Sequence, residues 1–191
     1  MRALVSVLVL AISAAGVVRC APGAGAKGDT TMEIKVTSPA FKEGEFIPKK
    51  FTCDGENLSP AIDWSEIPSS AKCLALICDD PDAPRGTWVH WVIFNIPVGT
   101  KGLPENFPHK STLPDGSRQG INDSHEIGFD GPCPPGGVHR YFFKVYALDK
   151  PVNLESGATK AQLLRAMEGH VVGEGALMGR YKRQEKREKS E

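Results

Sequence analysis

The sequence predicts a mainly β fold, on three observations. Apolar runs of strand length, alternating or continuous, recur at MEIKVT (32–37), KCLALIC (72–78), WVHWVIFNI (88–96) and HRYFFKVYA (139–147). Gly, Pro, Asn and Asp separate these runs and supply the backbone shapes that turns need. A single capping box, Thr159 to Gln162, marks a clear helix start.

The chain opens on an address label. Residues 3–18, ALVSVLVLAISAAGVV behind Arg2, are apolar but shorter than the ~20 residues a membrane-spanning helix needs, and read as a secretory signal within residues 1–26. Val17 to Cys20 resembles a lipoprotein box that would place a lipid on Cys20, although Arg19 stands where a small residue is expected. Ala24, Gly25 and Ala26 form a competing ordinary cleavage site, which would discard Cys20 with the signal. The expected location is accordingly periplasmic, or membrane-anchored through Cys20, in a bacterium. Without residues 1–26 the chain loses Arg2 and Arg19 from 23 basic residues against 23 acidic ones, for a net charge of −2. That balance carries no electrostatic footprint for nucleic acid. What remains suits one domain over residues 30–182, followed by a charged tail at 183–191.

MEIKVT alternates and is expected to form one strand with one wet face. Residues 38–71 are broken by Pro39, Gly44, Pro48, Asp54, Gly55, Asn57, Pro60 and Pro68, which favours short strands and loops. Lys72 to Cys78 reads as a buried strand, and Trp88 to Ile96 as another covered on both sides. Strict alternation puts Trp88, His90, Val92, Phe94 and Ile96 on one face, with Val89, Trp91, Ile93 and Asn95 on the other. His139, Tyr141, Phe143, Val145 and Ala147 share a face of a further strand. The connection 100–132 is rich in Gly, Pro, Asn, Asp and His, and reads either as a surface excursion or as a loop with a task. In the helix, Leu163, Leu164 and Met167 are expected on one side, with Gly169 as a stop. Val171 to Tyr181 reads as a last strand weakened by glycines.

Export would let disulfides persist among Cys53, Cys73, Cys78 and Cys133. Cys73 and Cys78 lie about 16 Å apart on opposite faces of an extended strand, which excludes a bond between them. Cys53 paired with Cys73 or with Cys78, a lone Cys53–Cys133 bridge, and four free thiols all remain open.

The candidate chemistry lies in two loop-to-strand junctions, DDPDAPRGTWVHW and GPCPPGGVHRY. If the two strands converge, His90, His139 and Tyr141 point into one concavity with Asp80 and Asp82 at its lip. A carboxylate beside an imidazole fixes its tautomer and favours its charged form, so two such histidines would attract an anion. Gly131, Gly136 and Gly137 would let backbone N–H groups approach it. Asp80, Asp82, His90 and His139 form a chemically admissible metal set, but no spacing is diagnostic, and neither a metal nor a cofactor is expected. There is no GxSxG elbow, and Ser59 has no base nearby in sequence, so binding rather than turnover is expected.

The same two stretches, with FTCDGENLSPAIDW and LPDGSRQGIND, closely resemble the phosphatidylethanolamine-binding protein family, also called Raf kinase inhibitor proteins, in its bacterial branch. The resemblance runs from about Ile34 to Lys182. It implies two antiparallel β-sheets with one or two short helices and a small pocket for phosphate-type anions or phospholipid head groups. Its pocket residues match Asp80, Asp82, Pro84, Trp88, His90, Gly131, His139 and Tyr141. Inhibition of a protease or other enzyme through surface loops is the second function it implies, and a homodimer is compatible with it. Two departures stand out: the short RGT link between Pro84 and Trp88, and Val89 where the family often carries a second histidine. The tail shows no clear counterpart of the pocket-gating helix of animal members, so kinase regulation is not carried over.

Overall fold

The computed structural model describes residues 31–183; the signal, Cys20 and residues 184–191 lie outside them. The strands are β1 Met32–Glu33, β2 Lys35–Thr37, β3 Ile62–Ser65, β4 Cys73–Asp80, β5 Trp88–Pro97, β6 Gly102–Leu103, β7 Arg118–Gln119, β8 His139–Leu148 and β9 Val171–Tyr181. The helix α1 is Lys160–Met167, and a short 3₁₀ turn spans Lys49–Phe51. Six strands form the main sheet in the order β1-β9-β8-β4-β5-β7, and three form a small sheet, β2-β3-β6. All pairings are antiparallel except the edge pair β1 and β9.

Every residue of β4 is buried, and alternation along it divides the core. Leu74, Leu76 and Cys78 pack with Tyr141, Phe143, Val145, Ala147 and Leu177 against Ile62 and Trp64 of the small sheet. Cys73, Ala75 and Ile77 pack on the opposite face against Leu163 and Met167 of α1. The main sheet is therefore sandwiched between the small sheet and the helix, and stability comes from apolar burial on both faces.

MEIKVT does not form one strand. It breaks at the buried Ile34, so that β1 joins the main sheet and β2 the small one. The glycines of β9 serve that crossing, because a Cβ on Gly175 would lie 1.9 Å from the Ile34 carbonyl oxygen.

Strict alternation also fails in β5. Along β5, the pairing with β4 slips first between Asp79 and Cys78 and again between Leu76 and Leu74, each time leaving an extra residue on β5. Each bulge reverses the parity of the residues beyond it. Val89, Val92 and Phe94 therefore face the helix side, while Trp91, Ile93 and Ile96 face the small sheet. Asn95 holds the second bulge at φ 55°, its side chain accepting from Val152 N–H and donating to Val152 C=O, both at 2.9 Å.

The segment 100–132 is not a surface excursion throughout, since Ser117, Gln119, Asn122 and Phe129 are buried. The Gln119 side-chain carbonyl accepts from Trp91 Nε1 at 2.7 Å, and its amide donates to the carbonyls of Pro108 and Lys110 at 2.7 and 2.8 Å. In α1 both halves of the capping box form, and Leu163 and Met167 are buried, but Leu164 is 40% exposed. Adjacent positions turn by about 100° on a helix, which takes Leu164 off the buried stripe. Cys53 and Cys133 form a disulfide, while Cys73 and Cys78 are buried free thiols on opposite faces.

Candidate functional site

The convergence of the two junctions comes from the sheet. β8 and β5 both pair with β4, so the start of each strand comes beside the β4 end at Asp80. A cavity of about 600 Å³ opens there. It is lined by Asp80, Pro84, Trp88, His90, Gly131, His139 and Tyr141 among the residues expected from sequence.

Asp80 is buried and committed at both oxygens. Oδ1 accepts from the Asp82 backbone N–H at 2.8 Å, which folds the turn, and Oδ2 lies 2.7 Å from His139 Nδ1. Because a carboxylate accepts, Nδ1 is the protonated ring nitrogen and Nε2 is left over. His90 occupies the first β5 bulge. Its Nδ1–H donates to the Asp130 carbonyl at 2.6 Å, so Nε2 is a lone-pair acceptor in the neutral ring.

Burial pushes the His90 pKa down, and this overturns the expectation that both imidazoles lean towards the charged form. The Tyr141 ring meets His90 edge-on, with centroids 5.2 Å apart. Its hydroxyl is fully buried and has no hydrogen-bond partner among the described residues. Burial, then the Asp80 charge, pushes the Tyr141 pKa up and keeps that hydroxyl a neutral donor. Trp88, 39% exposed, stands at the rim with Pro84.

Two expected assignments change. Asp82 does not line the cavity; it takes Arg140 Nε at 2.8 Å, Arg140 Nη2 at 2.7 Å and the Arg140 backbone N–H at 3.0 Å. That guanidinium holds the Asp82 carboxyl below its ordinary pKa and braces the turn against β8. Gly131 offers no free N–H, since it donates to Asn57 Oδ1 at 2.8 Å. It is glycine because a Cβ would lie 2.5 Å from that oxygen and 2.6 Å from the Phe51 carbonyl. Gly136 and Gly137 lie outside the lining, so the expected glycine nest does not form there.

Sequence reasoning missed the far wall, made by Asp123, Ser124, Asp130 and Cys133. Ser124 Oγ donates to Asp130 Oδ2, Asn57 Nδ2 donates to Asp130 Oδ1 at 3.3 Å, and Asp123 Oδ2 accepts from Val89 N–H at 2.8 Å. The available signal was position, since Asp130 directly precedes the GPCPP loop and Asp123 sits in the IND block. With Arg85 on the rim, the cavity carries carboxylates on two sides as well as two imidazoles and a phenol donor. Among the described residues no group of three or more His, Cys, Asp or Glu stands as a metal-binding cluster.

A family model described as phosphatidylethanolamine-binding protein matches residues 37–182. A UPF0098 protein of Methanothermobacter thermautotrophicus is 60% identical over 150 residues, covering 78% of this chain and 99% of its own. One from Aquifex aeolicus is 46% identical over 153 residues, covering 78% and 89%. The crystal structure of Escherichia coli YbcL, described as a new member of the mammalian PEBP family, aligns at a TM-score of 0.74 and 33% identity, over 79% of this chain and 99% of its own. A Chlamydia trachomatis structure named as a homologue of the same family aligns at 0.73 and 40% identity, over 81% and 100%.

Proposed function

The chain belongs to the phosphatidylethanolamine-binding protein family, and from that premise we propose that it is an exported, non-catalytic protein whose cavity holds a phosphate-type anion or phospholipid head group. The observation that carries this reading is the Tyr141 hydroxyl, a buried neutral donor without a partner, beside the His139–Asp80 pair. An unmet buried hydroxyl costs on the order of 1–3 kcal/mol, which an incoming phosphate oxygen would recover. His139 supplies a second donor when its ring carries both protons.

The carboxylates of Asp123 and Asp130 oppose a bare anion but suit one that also carries an ammonium group, as an ethanolamine head group does. Binding rather than turnover is supported by the bonding of the wall. Each imidazole has only Nδ1 engaged, by Asp80 or by the Asp130 carbonyl, and among the described residues neither Nε2 is hydrogen-bonded to a hydroxyl, Ser124 being held by Asp130. Export rests on the apolar run behind Arg2.

Calorimetric titration of phosphoethanolamine and inorganic phosphate into the mature protein, with His90→Ala and His139→Ala alongside, tests the proposal. Binding to wild type that weakens at least about tenfold in both variants is expected. Equal silence of all three would overturn it. Inhibition of a protein target would then take precedence, with the run 104–112, exposed except at the half-buried Phe107, as its candidate surface. Loss of target inhibition on changing that run, with the cavity variants unaffected, is its signature.

A further inference from the structure

The cavity wall between Asp130 and His139 is sparsely anchored. Its start is held by Gly131 N–H on Asn57 Oδ1 at 2.8 Å and by Cys53 N–H on the Pro132 carbonyl at 3.2 Å. At its other end β8 begins at His139. Between these points Cys133, Pro135, Gly136, Gly137 and Val138 are exposed, and a Cβ on Gly136 or Gly137 would meet nothing within 4 Å. The covalent anchor is the Cys53–Cys133 disulfide, which closes a sequence separation of 80 and ties the wall to the turn after Lys49–Phe51. Cys133 and the two prolines after it face the cavity.

We infer that the Cys53–Cys133 disulfide is a redox-operated strut of the cavity wall: reduction by a dithiol frees segment 133–138 and weakens ligand binding, and reoxidation by exchange with a small-molecule disulfide, which is itself reduced to two thiols, restores both. The affinity part of this rests on the head-group reading proposed above; the release of the wall does not.

The chemistry is set by exposure. A dithiol's thiolate reaches the sulfur of the exposed Cys133, forms a mixed disulfide there and expels Cys53 as a thiolate. The second thiol of the reagent then attacks its own sulfur in that mixed disulfide and releases Cys133. Two electrons and two protons pass to the protein, and the reagent leaves as its cyclic disulfide. Cys73 and Cys78 do not compete in the exchange. Burial pushes the Cys73 thiol up to about 11 and Cys78 well above its usual value, so neither supplies an accessible thiolate at neutral pH. Local rather than global release is expected because the Asp130 N–H on the His90 carbonyl at 3.0 Å does not depend on the sulfurs, while the Gly131 and Cys53 amides, next to the bridge, loosen with it.

The test compares the oxidised protein, the protein reduced with dithiothreitol, and a Cys53→Ser/Cys133→Ser double variant. Hydrogen exchange at the Cys53 and Gly131 amides reports the wall, and phosphoethanolamine titration reports the cavity. Reduction should speed exchange at both amides about tenfold while β4 stays protected, and should weaken binding by about tenfold. The double variant should match the reduced protein and ignore dithiothreitol. Unchanged exchange overturns the strut, as does loss of the far-UV circular dichroism spectrum on reduction, which would make the bridge a staple for the whole fold. Faster exchange with unchanged affinity overturns its control of the cavity. If the oxidised protein does not bind phosphoethanolamine, the head-group reading fails, and the exchange rates alone decide whether the wall is released.

Discussion

Asp79 and Asp80 are consecutive, both buried, and end up on opposite faces of the main sheet. Asp79 turns to the helix side, where Lys144 Nζ lies 2.8 Å from Oδ1 and Lys160 of α1 bonds Oδ2. Asp80 turns to the small-sheet side and meets an imidazole and an open cavity. Two permanent cations neutralise Asp79 and tie α1 and β8 to β4, a structural use of charge that leaves no opening for a ligand. Asp80 has a titratable partner whose second ring nitrogen is uncommitted, beside an unpartnered phenol. Identical chemistry one residue apart thus becomes either a lock or a candidate site, according to what the opposing layer supplies.

The largest expected effect separates the two directly. Asp79→Ala leaves two ammonium groups without their carboxylate and should destabilise the fold by about 3 kcal/mol in urea denaturation. That is the low end for a broken buried pair, because both lysines reach solvent in part. Phosphoethanolamine affinity of the folded variant should be unchanged; a matching loss of affinity would break the contrast.

Asp80→Asn should do the reverse, weakening phosphoethanolamine binding about tenfold in calorimetry while costing less stability than Asp79→Ala. A smaller effect concerns pH. Because burial lowers the His90 pKa, its contribution is undisturbed above the ordinary imidazole value of 6.5. As pH falls below that value the unfolded chain takes up a proton that the buried ring resists, and stability declines until the folded ring protonates too. The decline is at most about 1.4 kcal/mol per pH unit, and His90→Asn should flatten it in urea midpoints measured from about pH 7.5 to 5.

Tyr141→Phe should raise stability by about 1 kcal/mol, since it removes a buried hydroxyl that has no partner, yet weaken phosphoethanolamine binding about fivefold. Smallest of all, Arg140→Ala should change that affinity by no more than about twofold, because the Arg140–Asp82 pair is exposed and lies outside the cavity.

Much of this arrangement is legible along single strands. Alternation in HRYFFKVYA assigns Tyr141, Phe143, Val145 and Ala147 to one face, and all four pack in the core beneath the small sheet. The five-residue spacing of Cys73 and Cys78 places them on opposite faces, and the box at Thr159 marks where α1 begins. The β5 faces were misread because a bulge is a property of a pair of strands, and WVHWVIFNI read alone shows none. Asp82 was misplaced for a related reason: its partner Arg140 is 58 residues away, and only the β4–β8 register brings them together.

By itself, then, the sequence determined the mainly β class, the buried β4, the faces of β4 and β8, the helix cap and the two junctions whose residues carry the family resemblance. These features depend on near neighbours, and the periods of strand and helix are fixed by backbone geometry. Tertiary structure alone decided which face His90 joins, which of the open cysteine pairings forms, that Asn57 consumes the Gly131 N–H, and that Asp123 and Asp130 supply the far wall. Each of those outcomes is a competition among partners distant in the chain, settled by which surfaces packing brings together.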